Sequence, residues 1–136
     1  MRALDESTFV AAQIWPADVS AAAAEGVTMI VNNRPDFEEA GQPEGAEIEA
    51  AALAAGLDYR FIPVSSGISE AQIGAMAEAL EAAGGKSLAF CRSGTRSTML
   101  WALARARLGE TGESLARKAA AAGYDLAPIR GILDRS

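Results

Sequence analysis

The chain has 136 residues, half of them apolar, and a formal net charge of −6. This size suits one globular domain, residues 1–136, with a core large enough to fold. The charge is divided unevenly, because residues 1–90 carry net −10 and residues 91–136 carry net +4. The acidic part argues against nucleic acid or an anionic membrane as the main partner, whereas the basic part suits a small anionic substrate.

The cysteine and histidine content indicates the cellular compartment and excludes several types of catalytic site. The chain has one cysteine, Cys91, and no histidine. A lone cysteine cannot form an internal disulfide, which indicates a reducing compartment and predicts a cytoplasmic protein. We expect no signal peptide, because the N-terminus is acidic early and has no apolar core. We expect no membrane span, since no run of about 20 apolar residues exists. The lack of histidine removes Cys-His and Ser-His catalysis and most zinc sites.

Strand and helix patterns alternate along the first half of the chain. Apolar runs predict strands at residues 8–13, 27–31 and 59–64, and helical patterns occupy residues 16–25 and 46–55. Residues 27–31 are almost uniformly apolar, as in a parallel strand that is buried on both faces.

The second half continues the alternation. Ser69 and Gln72 form a capping-box pattern for a helix that reaches about residue 83. A strand then leads into Cys91, and helices are predicted at residues 97–107, 111–122 and 125–133. This order predicts an α/β fold, with a mostly parallel central sheet of four or five strands and helices on both faces.

Two polar loops follow strands of the predicted sheet. They cover residues 32–36 and residues 91–97, and sites in such sheets form at the carboxyl ends of the strands. Arg34, in the first loop, should share a sheet edge with Cys91. It either orients a substrate anion or locks the cysteine loop through a salt bridge with a nearby carboxylate.

The loop that begins at Cys91 has the composition of an anion site. It lies between a strand and a helix, so its N–H groups sit at the positive end of the helix dipole. Gly94 permits a tight turn and a close approach of the backbone to an anion. Such surroundings favour a reactive thiolate, which predicts an exposed catalytic nucleophile at Cys91. The charged and hydroxyl side chains of the loop are Arg92, Ser93, Thr95, Arg96 and Ser97.

Three segments resemble the dual-specificity branch of the protein tyrosine phosphatase superfamily in order and spacing. They are residues 29–35, 59–64 and 88–94, and the resemblance covers residues 8–110. More narrowly, the whole chain resembles the small bacterial family named for the phosphatase-like domain of beta-lactamase-hydrolase-like proteins. The resemblance implies a protein-tyrosine-phosphatase-like fold. It also implies a metallo-beta-lactamase-fold persulfide dioxygenase as a partner.

The length of the cysteine loop departs from the phosphatase pattern. Four residues separate Cys91 from Arg96, one fewer than in the phosphatase signature, and this spacing resembles the loop of rhodanese sulfurtransferases. The shorter loop forms a smaller cup, which suits one sulfur atom on Cys91 better than a phosphoryl group.

The position of the catalytic acid also differs from the phosphatase pattern. Ser66 stands where related phosphatases carry an aspartate that protonates the leaving oxygen, a step worth roughly 10²–10⁴ in rate. Asp36 is the alternative acid if its loop faces the site, and is otherwise a turn residue or a local cap. Trp15-Pro16-Ala17-Asp18 resembles the acid loop of other tyrosine phosphatases, but its pattern indicates the start of a helix.

Three functions remain open from the sequence, and loop length and Ser66 place sulfur transfer first. In that reaction Cys91 takes sulfane sulfur from thiosulfate or glutathione persulfide, holds it as a persulfide and passes it to an acceptor. The alternative is a phosphatase that cleaves phosphate esters through a phosphocysteine at Cys91. The third is a non-catalytic anion-binding module. Neither catalytic route requires a metal or an organic cofactor.

Overall fold

Five strands form one sheet in the computed structural model, which describes residues 1–135. The strands are β1 Arg2–Ala3, β2 Thr8–Ala11, β3 Val27–Asn32, β4 Asp58–Phe61 and β5 Lys86–Phe90. Their order is β1-β2-β5-β3-β4, and β1 is antiparallel to β2 whereas the other pairs are parallel. The predicted mostly parallel sheet is confirmed. Strand β1 was not predicted, because two residues are too few to show the alternation of apolar and polar side chains that indicates a strand.

Six α-helices connect and flank the strands within the same described residues. They are α1 Val19–Ala24, α2 Gly45–Ala54, α3 Glu70–Ala82, α4 Thr95–Arg107, α5 Gly112–Ala121 and α6 Arg130–Leu133. The capping box predicted for α3 is present: Gln72 N–H donates to Ser69 Oγ and the Gln72 side chain accepts from Ser69 N–H.

Two predicted strands are shorter in the structure. The strand expected at residues 8–13 ends at Ala11, and the one expected at residues 59–64 ends at Phe61. Beyond Phe61, the N–H groups of Ile62 and Val64 still donate to the carbonyls of Asn32 and Asn33 over 2.9 Å, so this segment stays beside the loop after β3.

Two predicted helices are divided. The helix expected at residues 16–25 opens with a 3₁₀ turn at Pro16–Asp18 before α1 begins. The helix expected at residues 125–133 opens with a 3₁₀ turn at Ala127–Ile129 before α6. Short 3₁₀ turns are common at helix starts, and a proline lies in each of these.

The sheet carries an apolar layer on each face. Leu88 and Phe90 of β5 face α1 and α2, where they join Ile48 in one cluster. Ala89, between them in β5, faces the other way and joins Trp101 of α4 in the second cluster, which also contains residues of α3, α5 and α6. This alternation follows from the period of two along a strand. It confirms that helices cover both faces.

Three strands end at the same level of the sheet. Asn32 of β3 lies opposite both Phe61 of β4 and Phe90 of β5. Cys91 and Asn33 come directly after two of these strands, and Asn33 N–H donates to the carbonyl of Phe90 over 2.8 Å. The two polar loops noted in the sequence therefore meet at one edge. Among residues 1–135, no helix combines the length and apolar character that a membrane crossing requires.

Candidate active site

Cys91 follows β5 and begins the turn into α4. The N–H of Gly94 donates to the Cys91 sulfur over 3.1 Å, so the loop turns a backbone donor toward the sulfur. Gly94 is the N-cap residue of α4 and has a φ of +92°, which glycine adopts without strain. Cys91 is fully buried, not exposed as predicted, because the loop folds around its sulfur and Arg96 lies beside it.

Tyr124 packs against the turn at Gly94. Its hydroxyl donates to the carbonyl of Ser93 over 3.2 Å. A Cβ atom added at position 94 would lie 2.2 Å from Tyr124 Oη, far inside van der Waals contact. The backbone conformation and the position of Tyr124 therefore both favour glycine here.

Arg96 links the cysteine loop to the loop after β3. Its Nη1 and Nη2 donate to the two carboxylate oxygens of Glu38 over 2.7 and 2.8 Å, and Nη1 also donates to the carbonyl of Val64. The hydrogen bonds to Glu38 raise the pKa of Arg96, burial opposes this, and attraction to Cys91 adds to the increase. The predicted pair of Cys91 and Arg96 is thus brought together.

Arg34 also binds the carboxylate of Glu38. Its side chain is 3% exposed, and its Nε donates to Glu38 over 3.0 Å. Nη1 donates to the side-chain oxygen of Gln13 over 3.0 Å. The hydrogen bond from Arg96 lowers the pKa of Glu38, burial opposes it, and the hydrogen bond from Arg34 lowers it further. Of the two roles expected for Arg34, this geometry corresponds to locking the cysteine loop.

Glu39 forms a second, more exposed bridge. Its carboxylate lies 3.0 Å from Nη2 of Arg92 and 3.5 Å from Nη2 of Arg34. Phe37 precedes the two glutamates with a φ of +64°, which is rare for an aromatic residue. This left-handed turn bends the chain just before the carboxylates that meet the arginines. Phe37 itself is 80% exposed.

Asn32, the last residue of β3, and Asn33, which follows it, form hydrogen bonds to different parts of the site. Asn33 accepts from the buried Ser97 hydroxyl over 2.8 Å and donates to the carbonyl of Ile62 over 2.9 Å. Asn32 accepts from Arg34 N–H over 2.9 Å. Asn33 therefore connects α4 with the segment after β4, while Asn32 shapes the loop that carries Arg34.

Thr95 and Ser93 lie on the exposed rim of the loop. Ser93 Oγ donates to Thr95 Oγ1 over 3.1 Å. The loop residues predicted from the sequence, Cys91 to Ser97, are thus all at one sheet edge.

The residues considered as acids lie in other settings. Asp36 Oδ1 accepts from the N–H of Gly45 over 2.7 Å at the start of α2, which covers the sheet face opposite to α4. This is the local cap that the sequence left open, and its role as an acid stays a prediction. Ser66 is exposed. Asp18 accepts from Trp15 N–H over 2.8 Å, as at a helix start.

Several residues of the site were not singled out from the sequence: Gln13, Asn33, Glu38, Glu39 and Tyr124. The acidic pair after Arg34 offered one signal, because a salt bridge between Arg34 and some nearby carboxylate was expected. For Tyr124 the sequence held no signal, since it contacts a loop 31 residues away.

The fold and the site define the class of protein. The structure of PTPMT1 superposes with a TM-score of 0.74 at 11% identity, covering 98% of this chain and 91% of that chain. P. aeruginosa TpbA superposes with a TM-score of 0.66 at 16% identity, covering 96% and 80%. The predicted protein-tyrosine-phosphatase-like fold is confirmed.

The family follows from more similar sequences. A candidate phosphatase from Neisseria meningitidis Z2491 superposes with a TM-score of 0.85 at 34% identity, covering 98% of this chain and 96% of that chain. The family model for the phosphatase-like domain of beta-lactamase hydrolase-like proteins matches residues 1–108. The chain belongs to this family, as its sequence indicated.

Curated relatives are much longer than this chain. The beta-lactamase hydrolase-like protein of Agrobacterium fabrum is 42% identical over 104 residues, which are 76% of this chain and 24% of that protein. The one of Xylella fastidiosa strain Temecula1 is 46% identical over 82 residues, 60% and 19% respectively. The chain thus spans about a quarter or less of the relatives' length.

These comparisons support an enzyme of the phosphatase-like fold family. They favour the phosphatase alternative over the sulfurtransferase prediction, which they do not support.

Proposed function

We propose that this protein is a phosphoric monoester hydrolase that uses Cys91 as its nucleophile. The observation that carries the proposal is the placement of Arg96 beside a Cys91 sulfur that accepts a backbone hydrogen bond from Gly94. Positive charge and N–H donors at a helix N-terminus bind a phosphoryl group well. The 98% coverage by a candidate phosphatase at 34% identity adds support.

The reaction proceeds in two displacements. The Cys91 thiolate attacks phosphorus, an S–P bond forms, and the P–O bond to the leaving alcohol breaks with its electron pair on oxygen. Arg96 offers two parallel N–H donors to the phosphoryl oxygens. Water then attacks the phosphorus, the S–P bond breaks, and inorganic phosphate and the thiolate are released.

Access to the sulfur requires movement, because Cys91 is fully buried. Glu38 accepts from Nη1 and Nη2 of Arg96 and places a negative charge beside it, but a guanidinium has five N–H donors in all. The phosphoryl group therefore binds the N–H donors of Arg96 that Glu38 leaves, beside a carboxylate whose charge weakens its binding.

The setting of the acids determines which esters react. Ser66 is a weak proton donor, and Asp36 is engaged by Gly45 N–H. The leaving oxygen therefore departs with little protonation, so esters of acidic alcohols such as phenols react faster than alkyl esters.

The test measures release of phosphate from aryl phosphates. Cys91→Ser should abolish turnover, and Arg96→Lys should lower kcat/KM about 100-fold or more, because the paired donors are lost. Arg117→Lys is the control, since Arg117 pairs with Glu113 on the exposed face of α5. Turnover that survives in Cys91→Ser would refute the proposal.

Sulfur transfer is the second candidate because Cys91 and Arg96 enclose only four residues. In this reaction Cys91 attacks the outer sulfur of thiosulfate, an S–S bond forms, and sulfite leaves as an anion without an acid. Intact-mass measurement after incubation with thiosulfate or glutathione persulfide distinguishes the two candidates. A gain of one sulfur atom at Cys91, with passage to a thiol or cyanide, would favour sulfur transfer. A persulfide dioxygenase partner would belong to this second candidate.

A further inference from the structure

An apolar groove begins at Arg96 and runs along α4. Its cavity volume is about 360 Å³, which lies in the range of small-molecule sites. The segment after β4, the first turns of α3, one face of α4 and the C-terminal turns form its walls. Its apolar side chains include Val64, Ile68, Ile73, Met99, Leu103 and Ile132.

The face of α4 explains how the groove joins the cysteine loop. Arg96, Met99 and Leu103 all line the groove, and their spacing of three and four residues places them on one side of a helix. Arg96 also lies beside the Cys91 sulfur. One residue therefore belongs to both the anion site and the groove.

The charges of the groove give its occupant a direction. Arg96 lies at the end next to Cys91. Among the described residues that line the groove, the other ionisable one is Glu70, which forms an ion pair with Arg107. An anionic head would therefore lie at Arg96, and the remainder of the molecule would extend over aliphatic side chains. Ile132 is 49% exposed at the rim, so part of this apolar surface is open to solvent.

We propose that the groove binds the apolar part of the substrate, so that the preferred substrates are phosphate monoesters with an extended hydrophobic group. This proposal rests on the phosphatase function for its headgroup. The phosphoryl group lies over Cys91 and Arg96, and the hydrophobic group lies along Met99, Leu103 and Ile132. Transfer of that group from water to the groove supplies the binding energy.

The experiment uses phenyl phosphates with para-alkyl chains from methyl to hexyl. Lengthening the chain scarcely changes the acidity of the phenol, so any trend reports binding of the chain. The expected gain in kcat/KM is about fourfold for each methylene, since about 0.8 kcal/mol accompanies burial of one CH₂ and about 1.4 kcal/mol equals tenfold. The gain should stop once the groove is filled. A flat series would overturn the proposal.

Binding to the Cys91→Ser protein separates this proposal from the proposed function. Calorimetry with the same esters should show affinity that rises with chain length. If no ester is hydrolysed but affinity still rises, the phosphatase function fails and the groove proposal stands. If esters are hydrolysed in a Cys91-dependent manner with no dependence on chain length, the opposite holds.

Variants identify the groove as the site of chain binding. Ile132→Asp should reduce the hexyl-to-methyl ratio of kcat/KM at least tenfold, because the carboxylate lies at the rim. Leu53→Asp, at an exposed leucine of α2, is the matched control and should keep the ratio. Met99→Gln replaces Ile132→Asp if that variant fails to fold. An unchanged ratio in the folded variant, or a dimer in sedimentation that Ile132→Asp dissociates, would contradict the proposal.

Discussion

Both carboxylate oxygens of Glu38 accept hydrogen bonds from Arg96, over 2.7 and 2.8 Å, and one of them also accepts a hydrogen bond from Arg34. The residue that a phosphoryl group would meet is thus already paired with a carboxylate of the protein. This pairing holds the guanidinium next to Cys91, and it also competes with any anion that binds there.

Removal of the competing charge should strengthen anion binding. We expect Glu38→Gln to bind inorganic phosphate about two- to fivefold more tightly, because an ion pair of this exposure is worth roughly 0.5–1 kcal/mol. Calorimetric titration with phosphate measures the change. Glu113→Gln, which breaks a solvent-exposed pair with Arg117, serves as the control. Weaker binding in Glu38→Gln would mean that orientation of Arg96 outweighs competition.

The same carboxylate should make stability depend on pH. The pKa of Glu38 lies below its ordinary value of 4.5 in the folded protein, chiefly through the hydrogen bond from Arg96. Its contribution is therefore complete above about pH 4.5 and is lost as the pH falls through the lowered pKa. Urea unfolding should show wild type more stable than Glu38→Gln by about 1 kcal/mol at pH 7. The difference should shrink toward pH 3, and a constant difference would contradict the assignment.

A side chain at position 94 should destabilise the protein. Gly94→Ala places a Cβ atom 2.2 Å from Tyr124 Oη at a φ of +92°. The matched control is Gly67→Ala, which has a φ of +71° but no atom within 4 Å of the added carbon. We expect both variants to lose about 1 kcal/mol or more from backbone strain, and Gly94→Ala to lose at least 1–2 kcal/mol beyond that. Thermal unfolding tests this, and equal losses would refute the role of Tyr124.

Ser97 and Asn33 should be energetically coupled. The Ser97 hydroxyl donates to Asn33 over 2.8 Å, and both residues are fully buried. A double-mutant cycle with alanine at each position should give a coupling of about 1 kcal/mol, because either single change leaves a buried polar group without its partner. The exposed pair of Ser93 and Thr95 provides a control cycle, with expected coupling near zero. Additivity at Ser97 and Asn33 would contradict the bridge between α4 and the loop after β3.

Asp36 should act as a helix cap. We expect Asp36→Ala to lower stability by about 1 kcal/mol, since Gly45 N–H loses its acceptor, and Asp36→Asn to retain most of it. Neither variant should alter the pH profile of aryl phosphate hydrolysis. Ser69→Ala, which removes the cap of α3, is the comparison. A loss of about 10²–10⁴ confined to alkyl esters in Asp36→Asn would instead identify it as the acid.

Loop length was a weaker guide to function than the rest of the chain. Counting four residues between Cys91 and Arg96 favoured sulfur transfer, whereas one candidate phosphatase, matched over 98% of the chain at 34% identity, favours the phosphatase alternative. The number of loop residues describes the length of the cysteine loop, but not the side chains that surround it. The position of the Arg96 side chain depends on Glu38 and the carbonyl of Val64.

The local sequence pattern determined the main strands and helices of this protein. Apolar runs and helix signals placed β3, β5 and α4, and thereby put Cys91 after a central strand at the start of a helix. Tertiary structure alone decided what surrounds the sulfur. Glu38 meets Arg96 across 58 positions and Asn33 meets Ser97 across 64. Periodicity reports which residues face the core of an element, but not which polar side chains meet. These side-chain contacts depend on strand register and on loop conformations such as the left-handed backbone of Phe37. Many contacts between residues far apart in the sequence determine the register and the loop conformations together.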